Sequence, residues 1–146
     1  MPVAELPLQR NGLLVEVELG PSAPYRAALW KRGLLVPPPV RATFLVDTGC
    51  DSTTVSEQLM RTLNLPATST TRVITGTTGV QGHPADVFAV EFTLLPQKAQ
   101  PRRWSACEVL ALPLLNQAAE GLLGRDLLNQ MVFTYDGPRR IARLTY

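Results

Sequence analysis

Ala42-Thr43-Phe44-Leu45-Val46-Asp47-Thr48-Gly49-Cys50-Asp51-Ser52 is the stretch that decides how this chain is read. The β-prone apolar run Phe44-Leu45-Val46 drives straight into an acid, a hydroxyl and a glycine. A buried strand therefore delivers a carboxylate to its own end. Gly49 permits close backbone approach or an unusual dihedral, and Thr48 supplies a short, stiff hydrogen-bonding group. By itself the Asp-Thr-Gly tripeptide also fits a strand that ends in an Asx-type turn. The choice between the two falls to the rest of the chain.

Upstream, Leu13-Leu14-Val15-Glu16-Val17-Glu18-Leu19 alternates over its second half and stops at Gly20-Pro21, which predicts a first strand. Tyr25 to Val36 is ambiguous; a strand pair turning near Lys31-Arg32-Gly33 fits it, and Pro37-Pro38-Pro39 then runs as extended loop. Downstream, Ser56 is placed to cap a helix through Leu63, which Leu65-Pro66 would stop. Val73-Ile74-Thr75 and Val87 to Leu94 read as two strands. Gly76-Thr77-Thr78-Gly79-Val80-Gln81-Gly82-His83-Pro84 joins them, a glycine-rich hairpin tip longer than a two-residue turn needs. Leu95 to Ser105 is a polar connection, Cys107 to Leu112 a short buried strand, and Gln117 to Glu120 irregular or a turn of helix. Gly121-Leu122-Leu123 is a strand stub that passes through Gly124 into a short helix from Arg125. Val132 to Tyr135 and Ile141 to Tyr146 close the chain as a hairpin around Asp136-Gly137-Pro138.

The totals agree with a mostly β domain. The 146 residues are 45% hydrophobic and 18% charged, the balance of a globular chain, and are most simply one domain spanning 1–146. Thirteen prolines and ten glycines among short apolar runs imply many turns. A net charge of +2 is mild, and the pairs Arg102-Arg103 and Arg139-Arg140 read as solvated faces, so no nucleic-acid partner is expected. No run has the length of a membrane helix or the form of a signal peptide, so no membrane partner is expected. Cys50 and Cys107 are too few for a disulfide framework, and the expected compartment is the reducing cytoplasm. The leading Met1 fits a free-standing gene product. The only histidine, His83, rules out a His-rich metal site, and no nucleophile elbow is present.

Val46-Asp47-Thr48-Gly49-Cys50-Asp51, the glycine-rich hairpin, and Leu122-Leu123-Gly124-Arg125-Asp126-Leu127-Leu128 together resemble a retropepsin-like aspartic protease. Order and spacing are similar to that family's catalytic loop, flap, and apolar-apolar-glycine element entering a Gly-Arg-Asn/Asp helix. The resemblance spans roughly Arg41 to Tyr146, with a strand equivalent near Leu13 to Leu19. Residues 25–40 and 96–105 look like insertions. It implies a closed, barrel-type β fold with a flap hairpin and one or two short helices, assembled as a two-fold homodimer.

What the resemblance implies for function is peptide-bond hydrolysis without cofactor or metal. Two carboxylates sharing one proton can take a proton from water and give one to the scissile carbonyl. The chain has a single Asp-Thr-Gly, so Asp47 would meet its own mate across a two-fold axis. By the same resemblance, Asp47, Thr48 and Gly49 are the catalytic residues, with the Thr48 hydroxyl bonding across the two-fold and the Gly49 amide near the carboxylates. Asp51 and Arg125 would form an ion pair tying the loop to the C-terminal helix. Asp51, Thr75, Gly76, Thr77, Thr78, Gly79 and Leu122 would contact a peptide or protein substrate, the hairpin residues as a flap. Cys50 stands where the family has a small Ala or Ser and reads as a buried small side chain. Trp30 and Trp104 read as core or interface. The alternative from another class is an inactive protease-like homodimer that binds peptide or mediates assembly.

Overall fold

Period-2 alternation of apolar residues supplies most of the strands, and burying their inner faces closes a barrel. The computed structural model describes residues 1–75, 77–114 and 118–146. Among the described residues, the first half runs β1 (Val3–Pro7), β2 (Leu14–Pro21), α1 (Ala23–Lys31), β3 (Val40–Val46), β4 (Thr54–Ser56) and α2 (Glu57–Leu63). The second half runs β5 (Ser69–Val73), β6 (His83–Leu94), β7 (Arg102–Leu112), β8 (Gly121–Leu123), α3 (Arg125–Leu128), β9 (Val132–Asp136) and β10 (Ile141–Thr145).

Six strands in the order β2-β3-β8-β4-β7-β6 form the barrel, which closes where β6 pairs with β2 from Val17↔Leu94 to Pro21↔Val90. β5 extends the sheet by pairing with the first half of β6. A bulge between Val90 and Phe92 interrupts the β6–β7 register. A separate antiparallel sheet, β1-β10-β9, packs its inner residues Ala4, Leu6, Ala142 and Leu144 into the same core.

The centre of that core is aromatic. Phe44 and Phe92, both fully buried, meet edge to face at 5.4 Å, and Trp104 meets Phe92 at 6.0 Å. Phe44 lies two residues behind Val46, so the strand that carries Asp47 is pinned by its largest side chain. β8 runs parallel to β3 through Phe44↔Gly121, and a Cβ on Gly121 would overlap the Phe44 ring.

Several expectations need correction. Tyr25 to Val36 is not a strand pair. Ser22 Oγ accepts from Tyr25 N–H, Pro24 sits in the first turn, and α1 results. Its end is a Schellman motif: Gly33 (φ +67°) donates to Trp30 O and Leu34 donates to Leu29 O. Leu29 is the only residue of α1 that is fully buried, so the helix carries no apolar period to read. β1 was not anticipated either; its pairing with β10 is sequence-remote. The presumed connection of 95–105 ends early, because β7 already begins at Arg102 and pairs with Leu94. α2 has the expected Ser56 cap and the expected end at Leu63, and what closes it is Asn64 in the left-handed region, ahead of Leu65-Pro66. Gln117, placed in an irregular turn by sequence, lies outside the described residues. Trp30 is not core, with 80% of its surface exposed.

Gly121→Ala is expected to destabilise the fold by about 1–3 kcal/mol through overpacking against Phe44. A lowered urea midpoint at unchanged slope would register it, and an unchanged midpoint would contradict the packing described.

Candidate active site

Asp47 is placed by backbone bonds on both sides of its strand. Val46 N–H donates to Leu13 O at 2.8 Å and Asp47 N–H to Leu123 O at 3.0 Å. Beyond it the chain turns: Cys50 N–H returns to Asp47 O, and Gly49 N–H donates to Asp47 Oδ1 at 2.9 Å. A Cβ on Gly49 would stand 3.1 Å from that carboxylate oxygen, so the absence of a side chain leaves the oxygen room. The Thr48 side chain is exposed, and among the described residues its hydroxyl has no partner within the chain.

β8 slots between β3 and β4, the two strands that flank the Asp47 loop. The loop is then tied to α3. Arg125 N–H donates to Cys50 O at 2.8 Å and Asp126 N–H to Asp51 O at 3.2 Å. Thr53, fully buried, donates from N and Oγ1 to Asp126 Oδ1 at 3.0 and 2.7 Å, and its Oγ1 accepts from Gly124 N–H at 3.1 Å. Gly124 must lack a side chain, because a Cβ would press on the Ser52–Thr53 peptide.

The expected Asp51–Arg125 ion pair is not formed within this chain among the described residues. The Arg125 guanidinium reaches the Thr48 carbonyl at 2.9 Å instead, while Asp51 engages α3 through its backbone oxygen. The side-chain tie that the sequence reading assigned to Asp51 is made by Asp126 to Thr53. The Thr53–Asp126 bond spans 73 residues, and no local pattern in the chain points to it.

A cleft of about 430 Å³ opens over the loop. Asp47, Gly49, Asp51, Thr75, Leu122 and Arg125 border it, as do Ile74 and Leu110, which sequence reasoning missed. Ile74 is 68% exposed, an apolar side chain left bare on the border of the cleft that Asp47 shares. Thr77, Thr78 and Gly79 stand at the tip of the β5–β6 hairpin, outside the lining of the cleft. Thr78 Oγ1 caps Thr75 N–H there at 2.8 Å. Gly76 lies outside the described residues. Cys50 is half-buried, its Sγ 2.9 Å from Ser52 O. Trp104 is held by Gln130 Oε1, which accepts from its Nε1 at 2.9 Å, and by Arg102 over its ring. Among the described residues no group of three or more His, Cys, Asp or Glu is arranged to hold a metal. No helix among them is long and apolar enough to cross a membrane.

A carboxylate at a strand end, a glycine amide on one of its oxygens, and a loop tied to β8 and α3 form the arrangement that the comparisons with known proteins address. Residues 39–127 match the family described as aspartyl protease, and the chain belongs to that family. The fold is retropepsin-like. It is similar to the crystal structure of a retropepsin-like aspartic protease from Rickettsia conorii, with a TM-score of 0.60 and 17% identity over 99% of this chain and 92% of that one. No curated protein sequence matches the chain.

Thr53→Val is expected to cost about 1–3 kcal/mol, since it leaves Gly124 N–H buried without an acceptor; chemical unfolding reads the loss. A second expectation concerns Cys107. Burial pushes its thiol up to about 12, with the Asp126 carboxylate adding to the shift. The folded thiol keeps its proton where the unfolded one, near 9.0, loses it, so the stability it contributes falls as pH rises through that window. Native Cys107 should alkylate slowly with iodoacetamide at about pH 8–9 and quickly once unfolded. Equal rates by mass spectrometry would contradict this.

Proposed function

We propose that the chain is an aspartic endopeptidase whose working unit is a two-fold homodimer, with Asp47 from each copy forming the dyad. The observation that carries this reading is the Asp47 carboxylate itself: braced by Gly49 N–H, bordering an open cleft, and present once per chain. One acid cannot be base and acid in the same step, whereas two that share a proton can. Like charges at about 3 Å cannot both ionise, so one member of the pair holds a proton.

In the proposed reaction the ionised carboxylate takes a proton from water, and the water oxygen bonds to the scissile carbonyl carbon. The protonated partner gives its proton to the carbonyl oxygen, producing a tetrahedral gem-diol. Collapse then breaks the C–N bond; the diol returns one proton to the dyad and the leaving amine takes the other. The unpartnered Thr48 hydroxyl is available to bond across the two-fold. Arg125, by holding the Thr48 carbonyl, orients the loop. The β5–β6 hairpin would close over bound peptide as a flap and exclude water, with Ile74, Leu110 and Leu122 as apolar contacts for side chains on either side of the cut.

The test is digestion of a peptide library from about pH 4 to 7, the range in which a single proton on the dyad is plausible. Wild type should cleave, and Asp47→Asn should abolish cleavage while leaving thermal stability and sedimentation unchanged. Cleavage by Asp47→Asn near the wild-type rate would reject the mechanism. An inert wild type that still binds peptide as a dimer would favour the assembly-module reading.

A further inference from the structure

We propose that the C-terminal end of α1 and the segment after it form a docking surface for an anionic phospholipid bilayer. Trp30 is 80% exposed, Leu35 94% and Leu34 48%. These are large apolar side chains left bare on a short stretch of chain. The backbone at Trp30 and Leu34 is held by the Schellman motif, through Gly33 N–H to Trp30 O at 3.0 Å and Leu34 N–H to Leu29 O at 2.9 Å, and Leu35 follows directly. Pro37-Pro38-Pro39 stiffens the return to β3. The fold therefore sets where the indole and the first leucine emerge.

The segment that carries this patch has charge of one sign, and neighbouring strands supply carboxylates to only part of it. From Leu19 to Val46 the chain contains no Asp or Glu, while Arg26, Lys31, Arg32 and Arg41 all fall within it. Arg26 is paired with Glu91 and Arg41 with Glu18. Among the described residues Lys31 and Arg32, which flank the exposed indole and leucines, enter no ion pair. An indole and leucines beside uncompensated basic side chains match an acyl–headgroup boundary with negative surface potential.

Position favours a bilayer over a second copy of the chain. The patch hangs from the Leu19↔Val40 end of the β2–β3 pair, and Asp47 follows the opposite end of β3. Seven strand residues put about 20 Å between them. A contact that completed the Asp47 site would leave Trp30 uncovered. The expectation of no membrane partner rested on the lack of a spanning segment, and a peripheral contact does not need one.

The test uses the full chain and sedimentation with phosphatidylcholine vesicles, with or without about 30 mol% phosphatidylserine. Wild type should partition onto the anionic vesicles, weakly onto neutral ones, and less as salt rises. Lys31→Glu with Arg32→Glu should lower the partition about 25-fold or more, at about fivefold for each basic residue lost and with repulsion of the new carboxylates added. Trp30→Ala with Leu35→Ser should lower it at unchanged salt dependence. In a Trp104→Phe background, Trp30 emission should shift to the blue on adding anionic vesicles. Asp47→Asn should bind vesicles like wild type, which separates this inference from the protease reading. Equal binding to both vesicle types, binding indifferent to Trp30 and Leu35, or loss of an oligomer in Trp30→Ala without lipid would each overturn it.

Discussion

The hydroxyl of Thr53 has no access to water, and it gives its hydrogen to Asp126 while taking the Gly124 amide hydrogen. Thr53 and the Gly124 amide are buried and would carry a desolvation penalty without these bonds, whereas Asp126, an exposed residue, turns one carboxylate oxygen inward to them. Their mutual satisfaction joins the loop after β3 to the helix after β8. Once joined, the Asp47 peptide, Cys50 O and Asp51 O all have fixed backbone partners, and the carboxylate has one position. The acid itself is only half-buried and makes few bonds, so its placement is inherited from groups two to six residues away and from across the barrel.

The same economy governs the core. Phe44 anchors β3 against Phe92 and fits only because Gly121 lacks a side chain. Two glycines three residues apart, Gly121 and Gly124, thus serve different close approaches: one to a ring, the other to a backbone. Between them Leu123 is fully buried and Leu122 borders the cleft, as alternation along a strand requires.

The acid-bearing loop, the Gly121–Arg125 element and the C-terminal hairpin were legible in the sequence because their signals are local: alternation, a turn tripeptide, a glycine between a strand stub and a helix. Ser56 as a cap was legible for the same reason. The Thr53–Asp126 tie was not, because a side-chain bond across 73 residues leaves no mark on either neighbourhood. α1 hid for the opposite reason; it buries too little to show a period, and its cap and its Schellman glycine were the only clues. β1 hid because five residues that alternate around two prolines look like loop until β10 supplies their partner. For Arg125 the sequence suggested an ion pair with Asp51, because charge pairing points to a carboxylate, and the structure offers the Thr48 carbonyl.

The excursion between β2 and β3 departs and returns at residues already opposite each other in the ladder, Leu19 and Val40. Its two ends are therefore pinned side by side whatever lies between them, and chain length there changes closure entropy only logarithmically. Such a site can gain, lose or exchange a module while the barrel's register and the distant carboxylate stay as they are. The excursion is, in effect, a socket in the barrel wall whose contents can change while the strands around it keep their partners.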